Sequence, residues 1–212
     1  MNTVIVTGGT TRLGLAISAS LRDAGWRVLT TSHRPEAGAD ITADLSEPMG
    51  AAKLYAAACA MLDGEPPDAL VNNAALFVGD DKALEAVNFE APKKLTTLMA
   101  CRETGVGSVV NVLDCRVLGE APQGEGAYAR TKRALLEFTR TSAAMFSGSL
   151  RVNAVAPGPV MPPEGAHEKA GDTPLGRPTA EDVAAAVVFL LDAARTSGCV
   201  IPVDGGQSLC SD

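Results

Sequence analysis

The sequence predicts an α/β fold, in which one Rossmann-like domain spanning 1–212 carries a doubly wound parallel sheet of about seven strands with helices on both faces. Short apolar runs alternate with segments of helical spacing, which is typical of βαβ units. The first run ends in a glycine-rich turn just before the first helical segment. Aromatic residues make up 4 % of the chain while Ala, Val, Leu and Gly are abundant, which disfavours an aromatic-rich β-sandwich.

The predicted strands are short, β-branched or apolar, and bounded by Gly, Pro or polar residues. They are Thr3–Val6, Arg27–Ser32, Ile41–Asp44, Ala69–Val71, Ser108–Val112, Arg151–Val155 and Val200–Val203. Only about eight residues, rich in Gly, Pro and Ala, connect the second strand to the third, which is too short for a crossover helix. We therefore expect a trimmed loop at this connection.

The predicted helices are the segments in which apolar residues recur at helical spacing. They are Leu13–Ala24, Met49–Leu62, Ala83–Cys101, Ala127–Ala144 and Ala180–Asp192. Gly25 supplies a stop for the first helix, and Pro92 is a candidate interruption of the third. The Pro- and Gly-rich stretch Pro157–Pro178 is expected to be a loop over the site and not a hinge between domains.

Composition and charge disfavour several classes of protein. The net charge of −7 opposes phosphate-backbone attraction, so general nucleic-acid binding is not expected. The 5 cysteines form no C-x-x-C pair and the chain has 2 histidines, so we expect reduced thiols and no metal site. A basic segment followed by a long apolar stretch is missing at the N-terminus, and no run is apolar enough to cross a membrane. The predicted location is the cytoplasm.

Residues 7–14, with the sequence TGGTTRLG, lie between the first strand and the first helix. Glycines at such a turn let the backbone approach a pyrophosphate, which binds at the helix N–H groups and the positive end of the helix dipole. A tight βα connection without a ligand is the alternative. The position directly after the opening strand favours the nucleotide site.

Tyr128 and Lys132 are four residues apart in a predicted helix, so both side chains project from one face. A nearby ammonium favours phenolate over phenol and makes the tyrosine a better proton-transfer group. The alternative is a solvated helix face, and the chain's total of 2 tyrosines weighs against it.

Polar or turn-forming residues follow the later strands, at the edge where open α/β sheets bind ligands. They are Asn72-Asn73-Ala74-Ala75, Asn111-Val112-Leu113-Asp114, Pro157-Gly158 and Asp204-Gly205-Gly206, with Asn88 in a later helix. Together with the turn at 7–14 and the pair Tyr128 and Lys132, this series resembles the short-chain dehydrogenase/reductase family over nearly the whole chain.

Several positions resemble the pteridine reductases and dihydromonapterin reductases of that family. These enzymes carry Arg at the position of Arg12, where most members have Gly, and Asp at the position of Asp114, where most have Ser. A His-Arg pair like His33-Arg34 holds the 2′-phosphate of NADPH in pteridine reductases, and a Phe at the position of Phe77 stacks on the pterin. Alternatively, the arginines are surface charges, Phe77 is a core residue and Asp114 is a structural cap.

The resemblance implies NADPH as cofactor, since Arg12 and Arg34 offer charge-assisted hydrogen bonds to a phosphate and no acidic residue ends the second strand. The implied cofactor-binding residues are Gly8, Thr11, Arg12, Leu13, Gly14, His33, Arg34, Asp44, Leu45, Asn73, Ala74, Tyr128, Lys132, Pro157, Gly158 and Val160.

The resemblance also implies the catalytic residues Asp114, Tyr128, Lys132 and Asn88. Tyr128 would donate the proton, and Lys132 would hold the nicotinamide ribose and favour ionisation of Tyr128. Asn88 would anchor a water or backbone arrangement that relays protons to Lys132. Asp114 would support protonation of a ring nitrogen, and with Phe77 and Tyr128 it would bind the substrate.

Some features depart from the family pattern. The interval between Asp114 and Tyr128 is one residue longer than usual, and the segments Asn73–Asn88 and Pro159–Pro178 are shorter. Pro159-Val160-Met161 stands where a Thr usually follows Pro-Gly. These departures imply a more open site, or one completed by a neighbouring subunit.

The sequence therefore predicts an NADPH-dependent reductase that transfers hydride to a C=N bond of a dihydropterin- or dihydrofolate-like substrate. The alternatives are a carbonyl reductase acting on ketones or aldehydes and, from a different class, a cofactor-binding regulator without turnover. The resemblance implies a homotetramer or homodimer formed through the helices Ala83–Cys101 and Ala127–Ala144. The natural substrate, the direction of the reaction and any role of Cys115 are not given by the sequence.

Overall fold

A computed structural model describes residues 1–103, 105–161 and 173–210. Its strands are β1 (Thr3–Val6), β2 (Arg27–Ser32), β3 (Ile41–Thr42), β4 (Ala69–Asn72), β5 (Gly107–Val112), β6 (Leu150–Pro157) and β7 (Val200–Val203). In the described part of the chain they form a single 7-stranded sheet in the order β3-β2-β1-β4-β5-β6-β7, and every neighbouring pair is parallel. The predicted α/β fold is confirmed.

Helices cover both faces of the sheet. They are α1 (Arg12–Asp23), α2 (Gly50–Ala60), α3 (Asp81–Glu85), α4 (Ala91–Ala100), α5 (Ala127–Met145) and α6 (Ala180–Asp192). Because side chains alternate along a strand, Ile5 and Leu70 pack in a core with α2 and α4, whereas Val4 and Val71 pack in a second core with α1 and α6. This is the doubly wound arrangement that the alternating sequence pattern predicts.

The helix predicted at Ala83–Cys101 differs from the structure in its start and its interruption. It begins at Asp81, where the Asp80 carboxylate caps the Ala83 amide, and a π-helical turn at Ala86–Glu90 separates α3 from α4. Pro92 lies in the first turn of α4, directly after the π-helical turn, so the predicted interruption is a change of helix type just before the proline and not a break at it.

The bounds of four strands also differ from the prediction, by one residue in β4 and β5 and by more in β3 and β6. β3 ends at Thr42 and not at Asp44, because the Asp44 carboxylate accepts hydrogen bonds from the amide and hydroxyl of Ser46 and turns the chain. β6 is longer than predicted and runs from Leu150 to Pro157. A single 3₁₀ turn, Pro35–Ala37, is the helical content of the connection from β2 to β3, so the predicted trimmed loop is confirmed.

The strand order reverses between β1 and β4, since the chain proceeds from β1 outward through β2 and β3 and then returns to the other side of β1. Such a reversal opens a crevice beyond the carboxyl ends of the strands, where ligands bind in open α/β sheets. The candidate site lies at this edge. Among the described residues, no helix has the length and apolarity needed to cross a membrane.

Candidate active site

A cleft of about 860 Å³ opens beyond the carboxyl ends of β1, β4, β5 and β6. All of the residues that the sequence predicts for the site line it, with the exception of Asn88. They are Gly8, Thr11, Arg12, Leu13, Gly14, His33, Arg34, Asp44, Leu45, Asn73, Ala74, Phe77, Asp114, Tyr128, Lys132, Pro157, Gly158 and Val160. The fold thus brings together residues from most of the length of the chain.

The glycine-rich turn at the floor of the cleft requires glycine at two positions. Gly8 has a φ of 62°, in the left-handed region that side chains disfavour. A Cβ on Gly14 would collide with the carbonyl oxygen of Gly8 and the side-chain amide of Asn73. The first turn of α1 therefore sits close against the end of β1, and it presents its N-terminus to the cleft.

Arg12, the first residue of α1, has a φ of 51°, in the left-handed region that costs a non-glycine residue about 1 kcal/mol. This is a position where most members of the family that the sequence resembles have Gly. The arginine therefore occupies a backbone conformation suited to glycine, and its side chain lines the cleft. Strained residues of this kind cluster at ligand-binding sites.

A hydroxyl group joins β1 to β4 at the reversal of strand order. Thr7 Oγ1 donates to the carbonyl oxygen of Val71 (3.3 Å) and accepts from the amides of Asn73 (2.9 Å) and Ala74 (3.0 Å). The Asn73 side chain in turn donates to the carbonyl oxygens of Thr7 (2.9 Å) and Gly8 (3.3 Å). These bonds fix the end of β4 to the glycine-rich turn.

The far end of the cleft, beyond β2, is lined by basic residues. His33 and Arg34 follow Ser32, whose hydroxyl accepts a hydrogen bond from the Arg34 amide (3.0 Å). Asp44 lies opposite, and its hydrogen bonds from the hydroxyl and amide of Ser46 hold the pKa of its carboxyl below the usual value. This end of the cleft therefore carries both basic and acidic side chains, since Glu36 also lines it.

Tyr128 and Lys132 lie one turn apart near the start of α5 and face the cleft together. Lys132 is 2 % exposed, and its Nζ donates to the carbonyl oxygen of Val112 at the end of β5 (2.8 Å). This Nζ is 5.9 Å from the centroid of the Tyr128 ring. Burial lowers the pKa of Lys132 to about 8, although the charge of Asp114 opposes the shift. At neutral pH the amine is therefore a buried cation beside the phenol.

Asp114 directly follows β5 and is held by Arg116. Arg116 Nε donates to Asp114 Oδ1 (2.9 Å), and Arg116 Nη2 donates to Asp114 Oδ2 (2.7 Å). The Arg116 amide also donates to Oδ1 (3.0 Å), and the Tyr128 hydroxyl donates to Oδ2 (3.2 Å). Burial alone would raise the pKa of Asp114, but the hydrogen bonds and charge of Arg116 outweigh it and lower this pKa. Asp114 is therefore an ionised acceptor at neutral pH.

Phe77 lies over the opening of the cleft and is 40 % exposed, so it is not a core residue. Its ring meets Tyr128 edge-on, with the centroids 4.9 Å apart. The Arg116 guanidinium lies over both rings, 5.6 Å from the centroid of Phe77 and 5.5 Å from that of Tyr128. Part of an aromatic ring is therefore exposed beside the carboxylate of Asp114.

Asn88 lies in the π-helical turn and is fully buried behind the cleft. Its amide binds both backbone groups of Leu76, accepting from the N–H (2.8 Å) and donating to the carbonyl oxygen (2.8 Å), and it also donates to the hydroxyl of Thr131 (3.2 Å). Asn88 thus joins the segment that carries Phe77 to the helix that carries Tyr128.

The segment between Asp114 and Tyr128 is fastened to α5 by Arg133. The guanidinium pairs with the Glu125 carboxylate (2.8 Å from Nη2 to Oε1) and donates to the carbonyl oxygens of Val117 (3.0 Å) and Gly119 (2.8 Å). The later part of the predicted substrate loop, 162–172, lies outside the described residues.

Sequence reasoning missed two parts of the site. Arg116 follows Asp114 by two residues in a 3₁₀ turn, where no periodicity identifies it. The other part is a buried polar chain in which Asn72 Nδ2 donates to Asn111 Oδ1 (2.8 Å) and Asn111 Nδ2 donates to Thr139 Oγ1 (2.9 Å). The sequence placed both asparagines at strand ends, but it did not indicate that they bind each other. Among the described residues, no group of three or more His, Cys, Asp or Glu is arranged to hold a metal ion.

Comparison with known proteins relates the chain to oxidoreductases. A family model described as enoyl-(acyl carrier protein) reductase matches residues 10–208. The crystal structure of FolM alternative dihydrofolate reductase 1 from Brucella canis, complexed with NADP, is similar with a TM-score of 0.86 and 31 % sequence identity. The match covers 100 % of this chain and 96 % of that chain.

Relatives of similar identity carry different names. Protein FixR from Bradyrhizobium diazoefficiens is 30 % identical, and the match covers 97 % of this chain and 86 % of that protein. Galactitol 2-dehydrogenase from Rhizobium johnstonii is 28 % identical, and the match covers 95 % of this chain and 93 % of that protein. A protein named for dihydrofolate and one named for galactitol thus resemble this chain to a similar degree.

Proposed function

The chain belongs to the short-chain dehydrogenase/reductase family, and from that premise we propose that it is an NADPH-dependent reductase of pterin-type substrates. The observation that carries the proposal is the grouping of Asp114, Tyr128 and Phe77 in one cleft. An ionised carboxylate, a phenol hydroxyl 3.2 Å from it and a partly exposed aromatic ring are the three groups that a flat, N–H-rich heterocycle would use.

The residues of the cleft fit NADPH. The close approach of Gly14 to Gly8 brings the N-terminus of α1 to the floor of the cleft, where its N–H groups would bind a pyrophosphate. Arg12, His33 and Arg34 line the end where the adenosine 2′-phosphate would lie, and guanidinium groups suit phosphate oxygens. The FolM structure similar to this chain is a complex with NADP, which supports the same assignment.

NADPH held by the residues at 8–14, His33 and Arg34 would supply the hydride for the carbon of a C=N bond. Tyr128 supplies the proton that the nitrogen of this bond takes up, so the C=N bond becomes CH–NH and the phenol becomes phenolate. The buried ammonium of Lys132, 5.9 Å from the ring centroid, stabilises that phenolate. Asp114 would accept a hydrogen bond from an N–H group of the heterocycle, and Phe77 would contact its ring in the same cleft.

The first test is NADPH oxidation, with NADH in parallel, against a dihydropterin, dihydrofolate, quinonoid dihydropterin and several simple ketones. Oxidation that needs both NADPH and a pterin supports the proposal. Turnover of ketones alone would leave the family chemistry of Tyr128 and Lys132 and refute the pterin assignment.

The Asp114→Ser variant sharpens this test, because a serine hydroxyl suits a carbonyl substrate while the carboxylate suits N–H groups. We expect kcat/KM for the pterin to fall by about 10²-fold, as is typical when one buried polar partner of the reacting group is removed. Arg140→Ala, which removes an exposed arginine paired with Glu137 far from the cleft, serves as the control.

A carbonyl reductase is the second candidate, and the relation to galactitol 2-dehydrogenase favours it. Tyr128 and Lys132 would protonate a carbonyl oxygen as readily as a ring nitrogen. This candidate predicts that Asp114→Ser retains or raises activity on ketones, so a single variant separates the two functions.

A further inference from the structure

The segment that carries Phe77 is held by very few backbone hydrogen bonds. Residues 74–79, here called the Phe77 segment, connect β4 to α3 without regular secondary structure. Within the described part of the chain, the backbone bonds of residues 75–79 are the two that Leu76 makes with the side chain of Asn88, each 2.8 Å long. The position of the Phe77 segment therefore depends on the orientation of one amide group.

The orientation of that amide is fixed by a hydroxyl group on α5. Asn88 Nδ2 has two hydrogens, and the one that does not bind Leu76 is donated to Thr131 Oγ1 (3.2 Å). Thr131 Oγ1 in turn donates to the carbonyl oxygen of Tyr128 (2.7 Å), so its own hydrogen points away from the amide. Asn88 is 0 % exposed and Thr131 is 8 % exposed, so bulk water does not reach the contact between them.

We infer that Thr131 is a positioning residue, which through Asn88 holds the Phe77 segment in place beside the substrate. The inference rests on the proposed function for the contact between Phe77 and the substrate ring. Thr131 is absent from the described lining of the cleft, so it acts through Asn88 and not by touching a ligand. The ring of Phe77 meets that of Tyr128 with the centroids 4.9 Å apart, and this spacing is what the bonds of Asn88 maintain.

Replacement of Thr131 by valine keeps the shape of the side chain and removes the hydroxyl. A methyl group would then stand about 3.2 Å from Asn88 Nδ2, closer than the about 3.5 Å at which nonbonded heavy atoms make favourable contact. The amide would also keep a buried N–H group without an acceptor, which is costly. Both effects turn the amide away from α5, and the turn weakens its two bonds to Leu76.

The experiment measures steady-state reduction of 7,8-dihydrobiopterin at saturating NADPH. Thr131→Val should raise KM about fivefold, which is the size of one lost aromatic contact. The value of kcat should stay within about twofold, because a ring contact made equally in the ground state and the transition state affects KM alone. The dissociation constant of NADPH should not change, since Thr7 and Asn73 hold the cofactor half of the cleft. Thr131→Ser keeps the hydroxyl and should restore KM.

The same helix supplies a matched control. The hydroxyl of Thr141, which is exposed, donates to the carbonyl oxygens of Glu137 and Phe138. Thr141→Val therefore removes a similar helical hydroxyl far from the Phe77 segment, and its KM should equal that of the unmodified enzyme. In a Phe77→Ala background, Thr131→Val should raise KM no further, because the ring that it positions is gone.

Hydrogen exchange of the free enzyme, followed by mass spectrometry, detects the change without a substrate. The peptide that contains Leu76 should exchange faster in Thr131→Val than in the unmodified enzyme, Thr131→Ser or Thr141→Val. Unchanged exchange would overturn the inference, and so would a loss of kcat at unchanged KM, which would assign Thr131 to its bond with Tyr128. If exchange is faster but the unmodified enzyme reduces no pterin, Thr131 still holds the Phe77 segment and the proposed function fails.

Discussion

Substitution of Arg12 by glycine should separate cofactor selectivity from stability. The φ of 51° at Arg12 costs a non-glycine residue about 1 kcal/mol, and a glycine relieves that cost. The greater freedom of glycine in the unfolded chain opposes the gain by about 0.4–1 kcal/mol. The two effects nearly cancel, so the melting temperature of Arg12→Gly should stay within about 2–4 °C of the unmodified protein.

Cofactor binding should respond quite differently to the same substitution. If Arg12 binds the 2′-phosphate, its loss removes a hydrogen bond to a charged group, worth about 1.5–3 kcal/mol. The dissociation constant of NADPH should then rise roughly 10- to 100-fold, while that of NADH, which lacks the phosphate, should not change. Fluorescence titration of both cofactors and a thermal melt measure the two effects on one sample.

The reasoning fails if NADPH and NADH weaken equally, because the substitution would then have altered the glycine-rich turn and not the phosphate contact. It also fails if NADPH affinity is unchanged, which would make Arg12 a surface charge. Arg34→Ala is the matched control: it removes the second basic residue proposed for the phosphate at a position with ordinary backbone geometry.

Two further predictions concern the proton-transfer groups. Tyr128→Phe should bind NADPH normally and lose turnover by about 10²- to 10⁴-fold, and a variant as active as the unmodified protein would favour a cofactor-binding regulator. Because the pKa of Lys132 is about 8, kcat should fall as the pH rises through this value, and a rate that still increases beyond pH 9 would contradict the role given to the ammonium. The pKa of Lys132 is lowered from 10.5, so the unfolded chain binds this proton more tightly than the folded protein does. The contribution of Lys132 to the free energy of unfolding is therefore complete above pH 10.5 and is lost as the pH falls through about 8.

Much of the fold could be predicted because strands buried on both faces are apolar throughout, and amphipathic helices separate them. The carboxyl ends of β1, β2, β5 and β7 could be predicted for the same reason, and with the end of β5 the placement of Asp114, whereas the ends of β3, β4 and β6 lie one or two residues away from the prediction. The change of helix type in the third predicted helix could not be predicted. Pro92 is the residue that disfavours a helix locally, whereas the π-helical turn is stabilised by contacts of Asn88 with Leu76 and Thr131, which are distant in sequence.

Local pattern likewise gave no sign of Arg116. The sequence indicates the place of Asp114 because the residues before it form a predicted strand. Arg116 lies two residues further on in a turn, where its sequence context is that of any exposed surface arginine. Its role depends on the direction in which the 3₁₀ turn sends the side chain, toward Phe77 and Tyr128. Only three-dimensional placement distinguishes a solvated arginine from one that covers a carboxylate.

The two halves of the cleft are attached to the protein independently. Thr7 and Asn73 secure the cofactor half through bonds between β1 and β4, whereas Asn88 and Arg133 secure the walls around Phe77 and Asp114 through bonds to α5. Substitutions around Phe77 and Asp114 can therefore change the substrate-binding part of the cleft without displacing the cofactor-binding part. A chain built this way can change its substrate in evolution while it keeps its cofactor, which is consistent with similar proteins at about 30 % identity that are named for dihydrofolate and for galactitol.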